Sequence, residues 1–149
     1  MIEPAKAAAF LAEFDERTAG AGDPAALAMR LLADAFSHYN WIGIYWLDGD
    51  TLVLGPFVGA PTEHDRIPVG RGVCGTAVAE GKNQVVPDVR QLSNYLACSV
   101  QTRSEIVVLI RKDGWIIGQI DADGHATGAF DESDEALLTA VAERIVARV

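Results

Sequence analysis

The chain has 149 residues, half of them hydrophobic, with 12 basic and 21 acidic side chains and a net charge of −9. That length reads as one domain over residues 1–149, large enough to hold its core without a metal or a disulfide. The acidic balance argues against nucleic acid or an anionic membrane as partner, because both repel it, and no apolar run is long enough to span a bilayer.

Residues 4–18 read as a helix with Phe10, Leu11 and Phe14 on one side. Gly20, Gly22 and Asp23-Pro24 interrupt it, and Asp23 is placed to cap a second helix whose first position suits Pro24. Leu27, Leu31, Leu32, Ala35 and Phe36 give that helix an apolar face up to about His38. The period then changes to two. Trp41–Leu47 reads as a strand, Asp48-Gly49 as a hairpin turn and Thr51–Leu54 as the returning strand. Residues 59–72 hold three glycines and two prolines and read as a loop. A short helix at 73–80, a strand at Gln84–Val86 and a loop at 87–103 follow. Ser104–Ile110 and Trp115–Asp121 are strands joined through Arg111-Lys112-Asp113-Gly114. Asp131 or Ser133 caps a last helix that turns Leu137, Leu138, Val141, Ile145 and Val146 to the core. This order implies an α+β fold, an antiparallel sheet with the terminal helices on one face. The loops at 59–72 and 87–103 then lie over the other face.

The N-terminal stretch carries acids among its apolar residues and lacks the basic start of a signal peptide. Two cysteines in such a chain fit a reducing compartment, and a cytoplasmic location is the expectation. Cys74 sits in GRGVCGTAVAEG, beside the expected start of the short helix. A helix N-terminus stabilises a thiolate, and Arg71 adds positive charge nearby. Cys98, 24 residues later, lies in the second loop. Either thiol can also be read as a small buried hydrophobe. Asp121 and Asp123 are two apart and share one side of a strand. A turn at 111–114 places Glu105 roughly opposite residues 120–122, so three acids converge. Like charges so close cannot all ionise freely, and one pKa should rise. Such a group can hold an ammonium ion or donate a proton. Trp41 and Tyr45, four apart on one strand face, can wall a pocket or serve as plain core. His38, His64 and His125 show no metal spacing, and no metal is expected.

Taken in order, WIGIYW, GPFVG, GRGVCGTAVAEG, QVVPDV, YLACS, SEIVV and GQIDAD resemble the free methionine-(R)-sulfoxide reductases, small stand-alone GAF-domain enzymes. The resemblance covers about residues 30–149. It implies a GAF-like fold and reduction of free L-methionine-(R)-sulfoxide. No cofactor would be bound, and thioredoxin would be the external reductant. It also implies a homodimer formed through the terminal helices. By motif, Cys74 and Cys98 match the two reactive cysteines, which would pass through a sulfenic acid to a Cys74–Cys98 disulfide. Glu105 matches the acid expected to protonate the departing oxygen. Asp121 and Asp123 match the acids that grip the substrate, and Trp41 and Tyr45 the pocket aromatics. Which cysteine attacks stays open. Family members tend to have a third cysteine where this chain has His64, Asp at Ser99, Ser at Gly124 and Pro at Leu109. The alternative expectation is a non-catalytic GAF sensor that binds a small ligand and responds to redox state through its thiols.

Overall fold

The computed structural model describes residues 1–93, 95 and 100–148. In chain order its elements are α1 (Pro4–Thr18), α2 (Pro24–Ala35), β1 (Trp41–Asp48), β2 (Thr51–Val58), β3 (Arg66–Pro68), α3 (Gly72–Glu80), β4 (Gln84–Val86), β5 (Ser104–Lys112), β6 (Trp115–Gly124) and α4 (Glu132–Val146). A single 3-10 turn at Val89–Gln91 lies between β4 and β5. The strands form a six-stranded sheet in the order β3-β2-β1-β6-β5-β4, antiparallel throughout.

The sheet divides two apolar layers. On one face Ile42, Ile44, Ile106, Val108, Ile110 and Ile120 pack against Phe14, Met29, Leu32, Leu138 and Val141 from α1, α2 and α4. On the other, Trp41, Tyr45, Val107 and Leu109 pack against Val73, Cys74 and Ala77 of α3. Strand alternation produces this division, since successive side chains of β1, β5 and β6 point to opposite faces. The terminal helices therefore share one face, as expected, and α3 lies on the other.

Four local details differ from the sequence reading. α2 ends at Ala35, because Phe36 is extended and turns its ring toward Phe10 and Tyr39. β2 runs on to Val58 past Gly55-Pro56, which the pairing absorbs as a bulge between the Gly43–Phe57 and Tyr45–Leu54 pairs. The loop at 59–72 contains the edge strand β3, three residues long. The β5–β6 turn is tighter than four residues. Asp113 and Gly114 both have positive φ (53° and 83°), the two-residue hairpin geometry. With a register shift between Ile110 and Arg111, Glu105 stands opposite Asp123, one position beyond the expected range.

At the N-termini of α4 and α2 the caps follow from sequence. Asp131 forms a capping box with Asp134, and Asp23 accepts from the Ala26 amide at 3.0 Å. The bond between the Ser133 hydroxyl and Asp131 holds the latter's carboxyl below its ordinary value.

Candidate active site

Three cross-sheet rows build the floor of the site. Trp41, Asp123 and Glu105 lie side by side in the first row, Gly43, Asp121 and Val107 in the second, and Tyr45, Gln119 and Leu109 in the third. Alternation turns all of these side chains to the α3 face. Gly43 leaves the middle row without a side chain on β1, and the Trp41 ring occupies that place. A Cβ at Gly43 would stand 2.6 Å from the ring. Trp41 also stacks on Phe57, with centroids 5.6 Å apart, and its indole N–H donates to the Ala60 carbonyl at 3.0 Å.

The roof is the first turn of α3. Arg71 occupies its N-cap without a side-chain cap hydrogen bond, and the helix start supplies positive partial charge near Cys74. Cys74 is the third helical residue. Gly75 lets the helix come down onto the end of β3, since a Cβ there would meet the Pro68 carbonyl at 2.6 Å. The thiol faces the floor, with Sγ 3.8 Å from Glu105 Oε2. Cys74 is 4% exposed, Glu105 2%, and Asp121 and Asp123 are fully buried.

Burial sets the electrostatics. Desolvation raises the Asp121 carboxyl above its ordinary value, and neighbouring Glu105 and Cys74 pull it only partly back. Neither Asp121 oxygen has a hydrogen-bond partner at bonding distance among the described residues. The acids converge as expected, but burial rather than like charge raises Asp121, and Glu105 acts in the opposite sense.

Of the residues picked out from sequence, Cys74, Glu105, Asp121, Asp123, Trp41 and Tyr45 come together here. Cys98 and Ser99 lie outside the described residues, so the Cys74–Cys98 pairing is not described. His64, at the position of the third cysteine, flanks the site. Its backbone carbonyl accepts the Tyr45 hydroxyl at 2.7 Å, which ties the 59–65 segment to the floor. Leu109, where Pro was the pattern, uses the N–H that Pro lacks, donating to Asn83 Oδ1 at 2.8 Å. Asn83 in turn donates to Glu135 Oε2 on α4 at 2.9 Å. Gly124 leaves no room for a larger residue, as a Cβ would stand 2.8 Å from that of Ala129. His38 belongs to the opposite layer, 2.6 Å from Asp134.

Gln119 escaped the sequence reading. It is fully buried, its side-chain amide donates to the Cys74 carbonyl at 3.3 Å, and its Oε1 has no partner among the described residues. The signal was available, because Gln119 stands two residues before Asp121 and shares its side of the strand. A cavity of about 120 Å³ adjoins the site, lined by Gly72, Val73, Thr76, Gln84, Val86 and Leu92. The acids do not line it.

A six-stranded antiparallel sheet with the terminal helices on one face and a short helix over a buried thiol and acids on the other defines the fold class, and the chain belongs to it: residues 7–147 match the GAF domain family. Within that family it is similar to the free methionine-R-sulfoxide reductase of Escherichia coli (strain K12), 46% identical over 105 residues that make up 70% of this chain and 63% of that protein. The match thus spans less than two thirds of the Escherichia coli relative. Protein YtsP of Bacillus subtilis (strain 168) is also 46% identical, over 79% of this chain and 73% of its own. The structure of free methionine-R-sulfoxide reductase from Neisseria meningitidis in complex with its substrate superposes with a TM-score of 0.88 at 40% identity, covering 96% of this chain and 89% of that one. No helix among the described residues is long and apolar enough to cross a membrane.

Proposed function

We propose that this chain reduces free L-methionine-(R)-sulfoxide to methionine, using Cys74 and Cys98 as its redox pair. The observation that carries this reading is the Cys74 thiol 3.8 Å from the Glu105 carboxyl, in a buried site that also holds Asp121 and Asp123. The relatives named as reductases of this substrate support it.

One thiolate attacks the sulfoxide sulfur and a carboxylic acid supplies protons as the S–O bond breaks. The oxygen passes to the cysteine sulfur as the transient bond between the two sulfurs breaks, which releases methionine and leaves a sulfenic acid. The second thiol condenses with that sulfenic acid, forming a disulfide and releasing water. A dithiol of the thioredoxin class then reduces the disulfide and is itself oxidised. Sulfoxide plus dithiol therefore gives methionine, water and an oxidised dithiol. Glu105, beside Cys74, is the proton donor. Asp121 and Asp123 hold the substrate ammonium, a group that a methionine residue inside a peptide does not have. Trp41 and Tyr45 enclose the aliphatic part. The working unit is a cytoplasmic homodimer, and it needs no bound cofactor.

The test is NADPH oxidation coupled through thioredoxin reductase and thioredoxin with free L-methionine-(R)-sulfoxide. Wild type should turn over, and Cys74→Ser and Cys98→Ser should each fail to cycle. In a single turnover of the pre-reduced variants, the one that still releases a stoichiometric amount of methionine retains the attacking thiol. Binding without turnover by wild type would instead favour a non-catalytic sensor.

A further inference from the structure

The Cys74 sulfur, one Glu105 oxygen and one Asp121 oxygen all lie within 4.8 Å of one another, and all three residues are buried. We propose that this trio is also a binding site for a zinc-class divalent cation, which enters in place of substrate and inhibits. Spacing along the chain conceals the trio, because its donors come from α3, β5 and β6.

Geometry is the first argument. Zinc takes sulfur at about 2.3 Å and carboxylate oxygen at about 2.0–2.2 Å, so tetrahedral ligands stand about 3.4–3.6 Å apart. The Sγ–Oε2 separation is already 3.8 Å, and the widest separation closes by about 1.2 Å, within reach of side-chain rotation. The second argument is the state of Asp121. It is fully buried with neither oxygen hydrogen-bonded among the described residues. A buried polar group is ordinarily satisfied, and a bound ion is one way to complete one that the scaffold does not. Donor chemistry decides the class. Thiolate with carboxylates suits zinc or cadmium, whereas magnesium and calcium prefer oxygen alone. Among the described residues three donors are supplied, which leaves a fourth tetrahedral position open to water or another ligand. On coordination Cys74 loses its proton to solvent, and no electron is transferred.

Inhibition rests on the reductase reading above, because the cation would hold the thiol and the acids that grip substrate. Binding itself does not rest on it. The full chain, stripped with chelator and reduced with a phosphine, is titrated with Zn²⁺ by calorimetry and with Cd²⁺ by ultraviolet absorption, where a thiolate-to-metal band reports sulfur coordination. One cation per chain is expected, with the band. Cys74→Ser should abolish the band, and Asp121→Asn should keep it while weakening Zn²⁺ by about tenfold or more. The hairpin-turn variant Asp113→Asn should retain both. If Cys74→Ser does not fold, the isosteric Asp121→Asn and Glu105→Gln carry the test. A band that survives Cys74→Ser, unchanged affinity in Asp121→Asn, or no stoichiometric binding by wild type would overturn the site. In turnover Zn²⁺ should raise the apparent KM for the sulfoxide and leave kcat unchanged. Turnover without Zn²⁺ binding refutes the cation site alone, and Zn²⁺ binding without turnover refutes the reductase reading alone.

Discussion

Asp134 and Asp121 are both buried acids, one in the helical layer and one on the opposite face of the sheet. Asp134 accepts the Tyr39 hydroxyl at 2.8 Å and the Asp131 amide at 2.9 Å, and stands 2.6 Å from His38 Nε2. Those partners join the end of α2 to the start of α4. Burial and the neighbouring Asp134 hold the Tyr39 hydroxyl protonated, well above its ordinary value. Asp121 has no comparable donor from the scaffold among the described residues, and the groups beside its carboxyl are Glu105 and Cys74. Two acids equally removed from water thus differ in what completes them. Asp134 is completed by tyrosine, histidine and backbone groups of the helical layer, whereas Asp121 meets another acid and a thiol. A satisfied buried carboxyl stabilises, whereas an unsatisfied one costs stability that function must justify.

The widest break in this comparison should come from Glu105→Gln, which keeps shape and removes the acid. Coupled turnover should fall by about 10²–10⁴-fold, the range of general acid–base catalysis, with thermal stability little changed. Asp134→Ala should do the converse. Loss of its three partners should destabilise by about 3 kcal/mol or more in a urea titration, with activity per folded molecule retained.

Asp121→Asn sharpens the contrast through pH. Burial raises the Asp121 carboxyl in the folded protein, so the folded state holds that proton more tightly than the unfolded chain. Stability from this group therefore declines as pH rises from the unfolded value of 3.8 through the raised folded one. At neutral pH the Asn variant should melt higher than wild type, and at pH 3 the gap should close, while substrate affinity falls. Melting curves at both pH values check it; a lower melting temperature at neutral pH would contradict the contrast. The smallest effect belongs to Tyr45→Phe. Losing its bond to the His64 carbonyl should cost about 0.5–1.5 kcal/mol and raise KM more than it lowers kcat, as the 59–65 segment loosens.

Much of this was legible in the chain. Phe10 and Phe14, or Leu137, Leu138 and Val141, announce helix faces by period, and Asp23-Pro24 and Asp131 announce helix starts. Asp121 and Asp123 share a side because a strand alternates. The motif series pointed to the family before any coordinate did. What escaped was set by pairing between strands. Gly55-Pro56 reads as a strand end, yet β1 carries β2 through it as a bulge. Glu105 meets Asp123 because the turn is two residues long and β5 shifts register after Ile110, which local propensity does not encode.

The sequence by itself determined where most helices and strands lay, which of their faces were apolar, and that Glu105, Asp121 and Asp123 would converge. Those are consequences of local periodicity and composition. Only the tertiary structure decided that Cys74 descends from α3 onto Glu105, that Gln119 joins them through the Cys74 carbonyl, and that Asp134 is satisfied while Asp121 is not. Contacts between segments distant in sequence depend on register and on how closely a helix approaches a sheet, and those are fixed when the two layers pack.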